Sequence, residues 1–222
     1  MFERMERILN PDEINKIKNL NILIIGLGGV GGACFEALVR IGVSNITVID
    51  NDKFDYSNLN RQLLSSINNI GHYKVFEAQL RAKSINPDCL VNPLQMFLDE
   101  DNIDDIDISS YDYIIDCCDT VLTKIILIEK AINNNVPIIT SMGTGNRLDP
   151  TKLIITDIWK TNNDPLARKM RSNLKKRGIN KKIKVVTSTE LPRKSKEGVG
   201  STSFVPNTAG FLLASYVIND II

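Results

Sequence analysis

A doubly wound α/β sheet is the fold class that this 222-residue sequence predicts. Three observations predict it. Short runs of β-branched and apolar residues alternate with longer stretches of helical apolar spacing, a G-x-G-G-x-G turn follows the first run, and the second run ends in an acid. Such alternation lays strands parallel in one sheet, with right-handed helical crossovers on its faces. Hydrophobic residues make up 43% and charged residues 24%, a balance that suits one large globular domain over 1–222.

The elements follow in order. Asn10-Pro11-Asp12-Glu13 reads as a helix start, with Asn10 as N-cap, Pro11 first in the helix and Glu13 in the capping-box position, opening a short helix through Lys18. Residues 22–25 form an unbroken apolar run, as in a strand covered on both faces. After the glycines, Phe35, Leu38 and Val39 set a helix over 33–41, and 46–50 reads as the second strand. A helix over 71–85 is stopped by Asn86-Pro87, and 90–96 makes a weaker third strand. A fourth strand at 113–116, a helix at 121–133 and a fifth strand at 136–141 complete the regular alternation.

Beyond Gly145 the pattern changes. Strands at 153–158 and 183–188 are separated by a basic segment rather than a hydrophobic helix. Residues 190–206, rich in Gly, Ser, Lys and Pro, read as a mobile loop, and 207–222 as a closing helix.

Composition excludes several classes. Cys34, Cys89, Cys117 and Cys118 form no C-x-x-C pair and His72 is the single histidine, so neither a structural zinc site nor a disulfide framework is expected. No stretch approaches the roughly 20 apolar residues of a membrane span. The start, from Met1 to Arg7, lacks a signal-peptide core, so a cytoplasmic protein is expected. Net charge is +1, which gives the whole molecule no strong preference for an anionic partner.

Gly26, Gly28, Gly29 and Gly31 lie after a strand and before a helix, where glycines permit a tight turn and bring backbone N–H groups up to a phosphate. Asp50, at the end of the second strand, is placed to accept hydrogen bonds from ribose hydroxyls. The core over 21–145 therefore reads as nucleotide-binding, preceded by an arm and helix at 1–20 and followed by a C-terminal part at 146–222. A nicotinamide dehydrogenase would need a second binding half, a substrate domain and more than His72 for proton transfer. Asp52, Asn58, Arg61, Gln62 and Lys74 instead gather polar and cationic groups beyond the second strand, and Asp119 follows the fourth. Two cations and an acid beside a nucleotide suit a triphosphate with Mg²⁺: cations neutralise developing charge and the acid holds the metal.

At these residues the sequence resembles the ThiF/MoeB/HesA adenylating family and its ubiquitin-activating relatives, through G-x-G-G-x-G, the acid-ended strand, N-x-N-R-Q, G-x-x-K and D-C-x-D. The resemblance implies the ubiquitin-activating-enzyme-like adenylation fold and ATP as cosubstrate. Asp50 would bind ribose, Asn58, Arg61, Gln62 and Lys74 would surround the phosphates, and Asp119 would hold Mg²⁺. Arg4 stands where the family places an arginine that reaches the phosphates of a partner protomer, implying a homodimer. Sulfur-carrier activators of the family carry C-x-x-C pairs, and several carry a catalytic cysteine after the fifth strand; no cysteine lies beyond Cys118 here.

Within the family the chain is most similar to the branch that dehydrates threonylcarbamoyladenosine in tRNA. Phe2, the Arg7-Ile8-Leu9 string, residues 143–145, 149–151, 156–161, 164–167 and 188–190 carry that similarity. It implies adenylation of the substrate carboxylate followed by ring closure. Adenylation of the C-terminus of a ubiquitin-like sulfur carrier stands as the alternative, and both a cysteine-desulfurase and sulfur-acceptor system and a monovalent cation near the C-terminal helix are left open. Charge distribution supports the tRNA branch independently. From Arg168 to Lys184 nine cations occur with no acid, including Arg168, Lys169, Arg171, Lys175, Lys176, Arg177, Lys181 and Lys182. Such a local positive field suits a phosphate backbone.

Overall fold

The computed structural model describes residues 2–222. Its strands are β1 (Asn21–Ile25), β2 (Asn45–Ile49), β3 (Leu90–Leu94), β4 (Tyr113–Asp116), β5 (Ile138–Ser141), β6 (Leu153–Asp157) and β7 (Lys184–Ser188). The helices are α1 (Pro11–Asn19), α2 (Gly29–Ile41), α3 (Lys74–Ile85), α4 (Val121–Asn134), α5 (Pro165–Lys176) and α6 (Phe204–Ile221). All seven strands join one sheet in the order β3-β2-β1-β4-β5-β7-β6. Every neighbouring pair is parallel except β6–β7 at the edge. The doubly wound expectation, with further strands in the C-terminal part, therefore holds.

β1 shows why its apolar run is unbroken. Ile22 and Ile24 enter the core shared with α2, α3 and α6, while Leu23 and Ile25 enter the opposite core shared with α4. A third cluster packs α4 against α5 and β7. The capping box at Asn10 forms as the sequence suggests, with Asn10 accepting from Asp12 and Glu13 amides and Glu13 answering to the Asn10 amide.

Three helix starts move for identifiable reasons. Helix α2 begins inside the glycine run, at Gly29 rather than 33, because residues without side chains give no apolar periodicity to read. Helix α3 begins at Lys74 rather than 71, since Gly71 takes φ +85° and residues 71–72 exchange backbone hydrogen bonds with Phe54. Helix α6 begins at Phe204, ahead of Pro206, because a proline in a first turn gives up no intrahelical bond. The basic segment contains a helix after all: Asp164 caps α5, Pro165 opens it, and Ala167, Met170 and Leu174 make a narrow buried stripe.

Residues 189–203 carry no helix or strand, yet Asn146 clasps them twice. The Asn146 amide donates to the Gly200 carbonyl (2.7 Å), its carbonyl accepts from the Arg193 amide (2.7 Å), and its side chain accepts from the Gly200 amide (2.6 Å). No helix among the described residues is long and apolar enough to cross a membrane.

Candidate active site

In the sheet register Ile25 lies level with Ile49 on one side and with Asp116 on the other. The glycine turn, Asp50 and the Cys117–Cys118–Asp119 turn thus leave the carboxyl edge together, at the point where crossovers from β1 diverge and ligands of such sheets bind. A cavity of about 670 Å³ opens there. Gly26, Gly28, Gly29, Asp50, Asp52, Asn58, Arg61, Gln62, Lys74 and Asp119 all border it.

Two predicted site residues stand elsewhere. Gly31 is buried beneath the turn, where a Cβ would lie 1.8 Å from the Gly26 carbonyl oxygen. Its role is close packing of α2 on β1, not ligand contact. Arg4 is exposed and borders no part of this chain's own cavity.

Gly28, the N-cap of α2, offers no side-chain hydrogen bond to the helix. The first amides of α2 are therefore open to an anion, at the positive end of the helix dipole. Asp50 accepts from the Leu27 amide (2.6 Å) and the Asp52 amide (2.8 Å), which fixes its carboxylate beside the glycine turn. Burial pushes the Asp50 carboxyl above the ordinary carboxylate range, although the Lys74 charge and both amides pull it down. Lys74, first in α3 and only 4% exposed, donates to Asp52 Oδ2 at 2.8 Å and stands 3.8 Å from Asp50 Oδ1. Arg61 folds onto its own turn, donating to the Ser57 carbonyl (2.6 Å) and Asn60 Oδ1 (3.0 Å). Asn207 of α6 donates to the Arg61 carbonyl and so ties that turn to the helix. Gln62 is buried with its Oε1 unpartnered, leaving an acceptor for a ligand donor.

Asp119 is exposed on the cavity rim. Among the described residues no group of three or more metal-ligating side chains occurs. Magnesium nevertheless fits one carboxylate when phosphate oxygens and water complete its shell, which is its usual manner in nucleotide sites.

Sequence reasoning missed what lies under the floor. Lys124 and Asp116 are both fully buried, 3.0 Å apart, and Lys124 also donates to Thr140 Oγ1 (2.9 Å) and the Ser141 carbonyl (2.8 Å). Burial opposes the lysine charge, but the adjacent Asp116 and the Cys118 and Cys117 thiols beside it together hold Lys124 above the ordinary lysine value. The available signal was a lysine set inside the apolar string Val121-Leu122-Thr123-Lys124-Ile125-Ile126. Behind Gly143 on the opposite wall, buried Asp164 accepts from the Gly143 amide (3.1 Å) and Thr187 (2.9 Å), with Arg147 at 3.7 Å.

The thiols offer no ready nucleophile. Burial pushes Cys89 up to about 11 and Cys118 higher still, with Asp116 adding to the shift at Cys118.

The basic segment divides into two groups. Arg171 donates to the carbonyls of Ile158 and Thr161 and to the Thr161 hydroxyl, and Arg177 pairs with Glu100 and Glu129. Both were expected to contact nucleic acid; in the structure both guanidinium groups are engaged by partners within the chain. Arg168, Lys169, Lys175, Lys176, Lys181 and Lys182 are exposed and form no ion pair among the described residues. Leu166 borders the cavity, so α5 starts at the site and runs away from it.

Residues 3–219 match the ThiF family. The chain belongs to that family. A similar relative is the tRNA threonylcarbamoyladenosine dehydratase of Bacillus subtilis (strain 168), 36% identical over 239 residues spanning 100% of this chain and 94% of that protein. The crystal structure of the E. coli tRNA N6-threonylcarbamoyladenosine dehydratase, TcdA, in complex with ATP superposes with a TM-score of 0.94 at 34% identity, over 99% of this chain and 93% of that one. E. coli MccB with ATP, at 20% identity and a TM-score of 0.68, spans 96% of this ThiF-family chain and 60% of its own and shares the fold alone.

Proposed function

We propose that this ThiF-family protein is an ATP-dependent tRNA threonylcarbamoyladenosine dehydratase that works by adenylating a carboxylate of its substrate. One observation carries the reading: a single cavity combines unblocked helix amides, the Arg61 and Lys74 cations and a rim carboxylate, while the two thiols on its lining are held above the ordinary thiol range, Cys117 by a hydrogen bond with Cys34 and by burial, Cys118 by burial. A site so built activates a carboxylate brought by the substrate and has no covalent enzyme intermediate to form. Likeness over nearly the full length to dehydratases, one of them bound to ATP, supports it.

Asp50 accepts from the ribose hydroxyls, and the α2 amides hold the phosphates. Lys74 and Arg61 turn from their present carboxylate and carbonyl partners to offset charge as the substrate carboxylate forms its bond to the α-phosphorus and the bond to pyrophosphate breaks. Asp119 would hold Mg²⁺, which when bound would supply positive charge to the phosphate oxygens. A nucleophile within the modified nucleoside then attacks the activated carbonyl, AMP leaves with the carboxylate oxygen, and the ring closes with net loss of water. The six free cations of α5 and its following turn meet the tRNA backbone, and Arg4 reaches the cavity of a second protomer in a homodimer.

The test is mass spectrometry of nucleosides after incubating the protein with ATP and tRNA that carries threonylcarbamoyladenosine, under conditions mild enough to keep a hydrolysable ring. The reading requires a product lighter by one water, formed with AMP and pyrophosphate. ATP–pyrophosphate exchange that ignores tRNA but responds to a small protein ending in Gly-Gly would transfer the assignment to sulfur-carrier activation.

A further inference from the structure

We infer that Lys124 is a positioning residue for adenylation: from beneath the cavity floor it fixes the ends of β4 and β5 to each other and so sets where the Asp119 carboxylate stands. This inference rests on the reading of Asp119 as the magnesium carboxylate.

The ladder between β4 and β5 pairs Asp116 with Thr140 at its last step. Beyond it the chain parts, with 117–120 lining one side of the cavity and 141–145 the other. Lys124 spans that parting. Its three N–H bonds go to two strands, one to the Asp116 side chain and two to Thr140 and Ser141. Asp116 passes the restraint on: its Oδ2 also accepts from the Thr140 hydroxyl (2.5 Å), and its Oδ1 accepts from the Cys118 amide (3.1 Å), one residue before Asp119. Every donor of the ammonium and both carboxylate oxygens are occupied, so the arrangement admits one geometry.

Stability alone does not account for a charge pair in this place. Ile125, Ile126, Leu127 and Ile128, which follow Lys124 in α4, are buried and apolar. Aliphatic side chains of similar volume would fill the site without stripping two charges of water, and such replacements are commonly neutral or stabilising. What an aliphatic filling cannot supply is a rigid, directional link from two strand ends to the turn that bears Asp119.

The experiment titrates Mg²⁺ against ATP binding by calorimetry, and adenosine binding separately, in the wild type, Lys124→Met, Thr140→Val and the remote core variant Ile17→Val. Lys124→Met should raise the Mg²⁺ concentration needed for ATP binding by about tenfold or more, in line with the loss of groups that orient metal ligands. Adenosine affinity, set by Asp50 just beyond β2, should stay at the wild-type value. Thr140→Val should shift the Mg²⁺ requirement in the same direction by less, and Ile17→Val should lower Tm without moving it. A folded Lys124→Met with the wild-type Mg²⁺ requirement overturns the inference, as does a parallel loss of adenosine affinity, which would signal general loosening. If Lys124→Met does not fold, an unshifted Thr140→Val overturns it alone. Absence of Mg²⁺-dependent ATP binding in the wild type would instead remove the proposed function itself.

Discussion

Gly28 and Gly31 sit three positions apart in one motif and serve different ends. A Cβ at Gly28 meets nothing within 4 Å, whereas one at Gly31 lies 1.8 Å from a backbone oxygen. Gly31→Ala is therefore expected to cost about 2 kcal/mol or more of stability, and Gly28→Ala little; thermal unfolding of the two variants checks this. Asp50 gives a pH signature. Burial raises its folded value above the ordinary 3.8, so the folded protein keeps this proton to higher pH than the unfolded chain. Its contribution to stability is full below 3.8 and is lost as pH rises through the raised value. Ribose hydroxyls need the ionised acceptor, so adenosine affinity should strengthen across that rise. Calorimetry from about pH 4 to about pH 7 reads it, and Asp50→Asn should flatten the profile. Asp50 and Lys74 were legible because each sits at a strand end or helix start fixed by motif spacing. Lys124 was missed because the apolar string around it hints only that it is buried, and no local spacing names the acid that it meets on β4.

Helix α5 shows how much of an element the charge pattern conceals. Three apolar residues, Ala167, Met170 and Leu174, seat it, and the cations between them dominate the composition. Its start was written in Asp164-Pro165, a cap and an opener that the basic run overshadowed. The structure also sorts cations that sequence cannot tell apart. Replacing Lys169, Lys175 and Lys176 together by Ala should weaken tRNA binding and make its salt dependence shallower, by about one unit of log–log slope for each phosphate that is no longer neutralised, with unfolding unchanged. Arg177→Ala should leave that slope alone and instead lower stability by about 0.5–1 kcal/mol, the modest value of a solvent-screened pair. Binding titrations at several salt concentrations, beside denaturant unfolding, separate the two outcomes.

At the scale of the molecule, the parallel pairing of the first five strands was readable because local βαβ rules govern it. Insertion of β7 between β5 and β6 was not, since it depends on a pairing that no short-range pattern encodes. The homodimer proposed from Arg4 is testable by mixing. Arg4→Ala and Lys74→Ala, each inactive alone, should recover about a quarter of wild-type activity when protomers exchange at random, because half the dimers then hold one intact site. No recovery despite exchange would confine Arg4 to its own chain. Helix α6 adds an order of events. Gly210 brings it against the Val30 carbonyl of α2, where a Cβ would stand 2.3 Å away, and Pro206 forms part of the cavity wall. A nascent chain emerging from the ribosome thus exposes its glycine turn, Asp50, Lys74 and Asp119 long before the wall that encloses them exists. Translation arrested short of Phe204 should leave a polypeptide that carries every phosphate-binding group and retains no ATP.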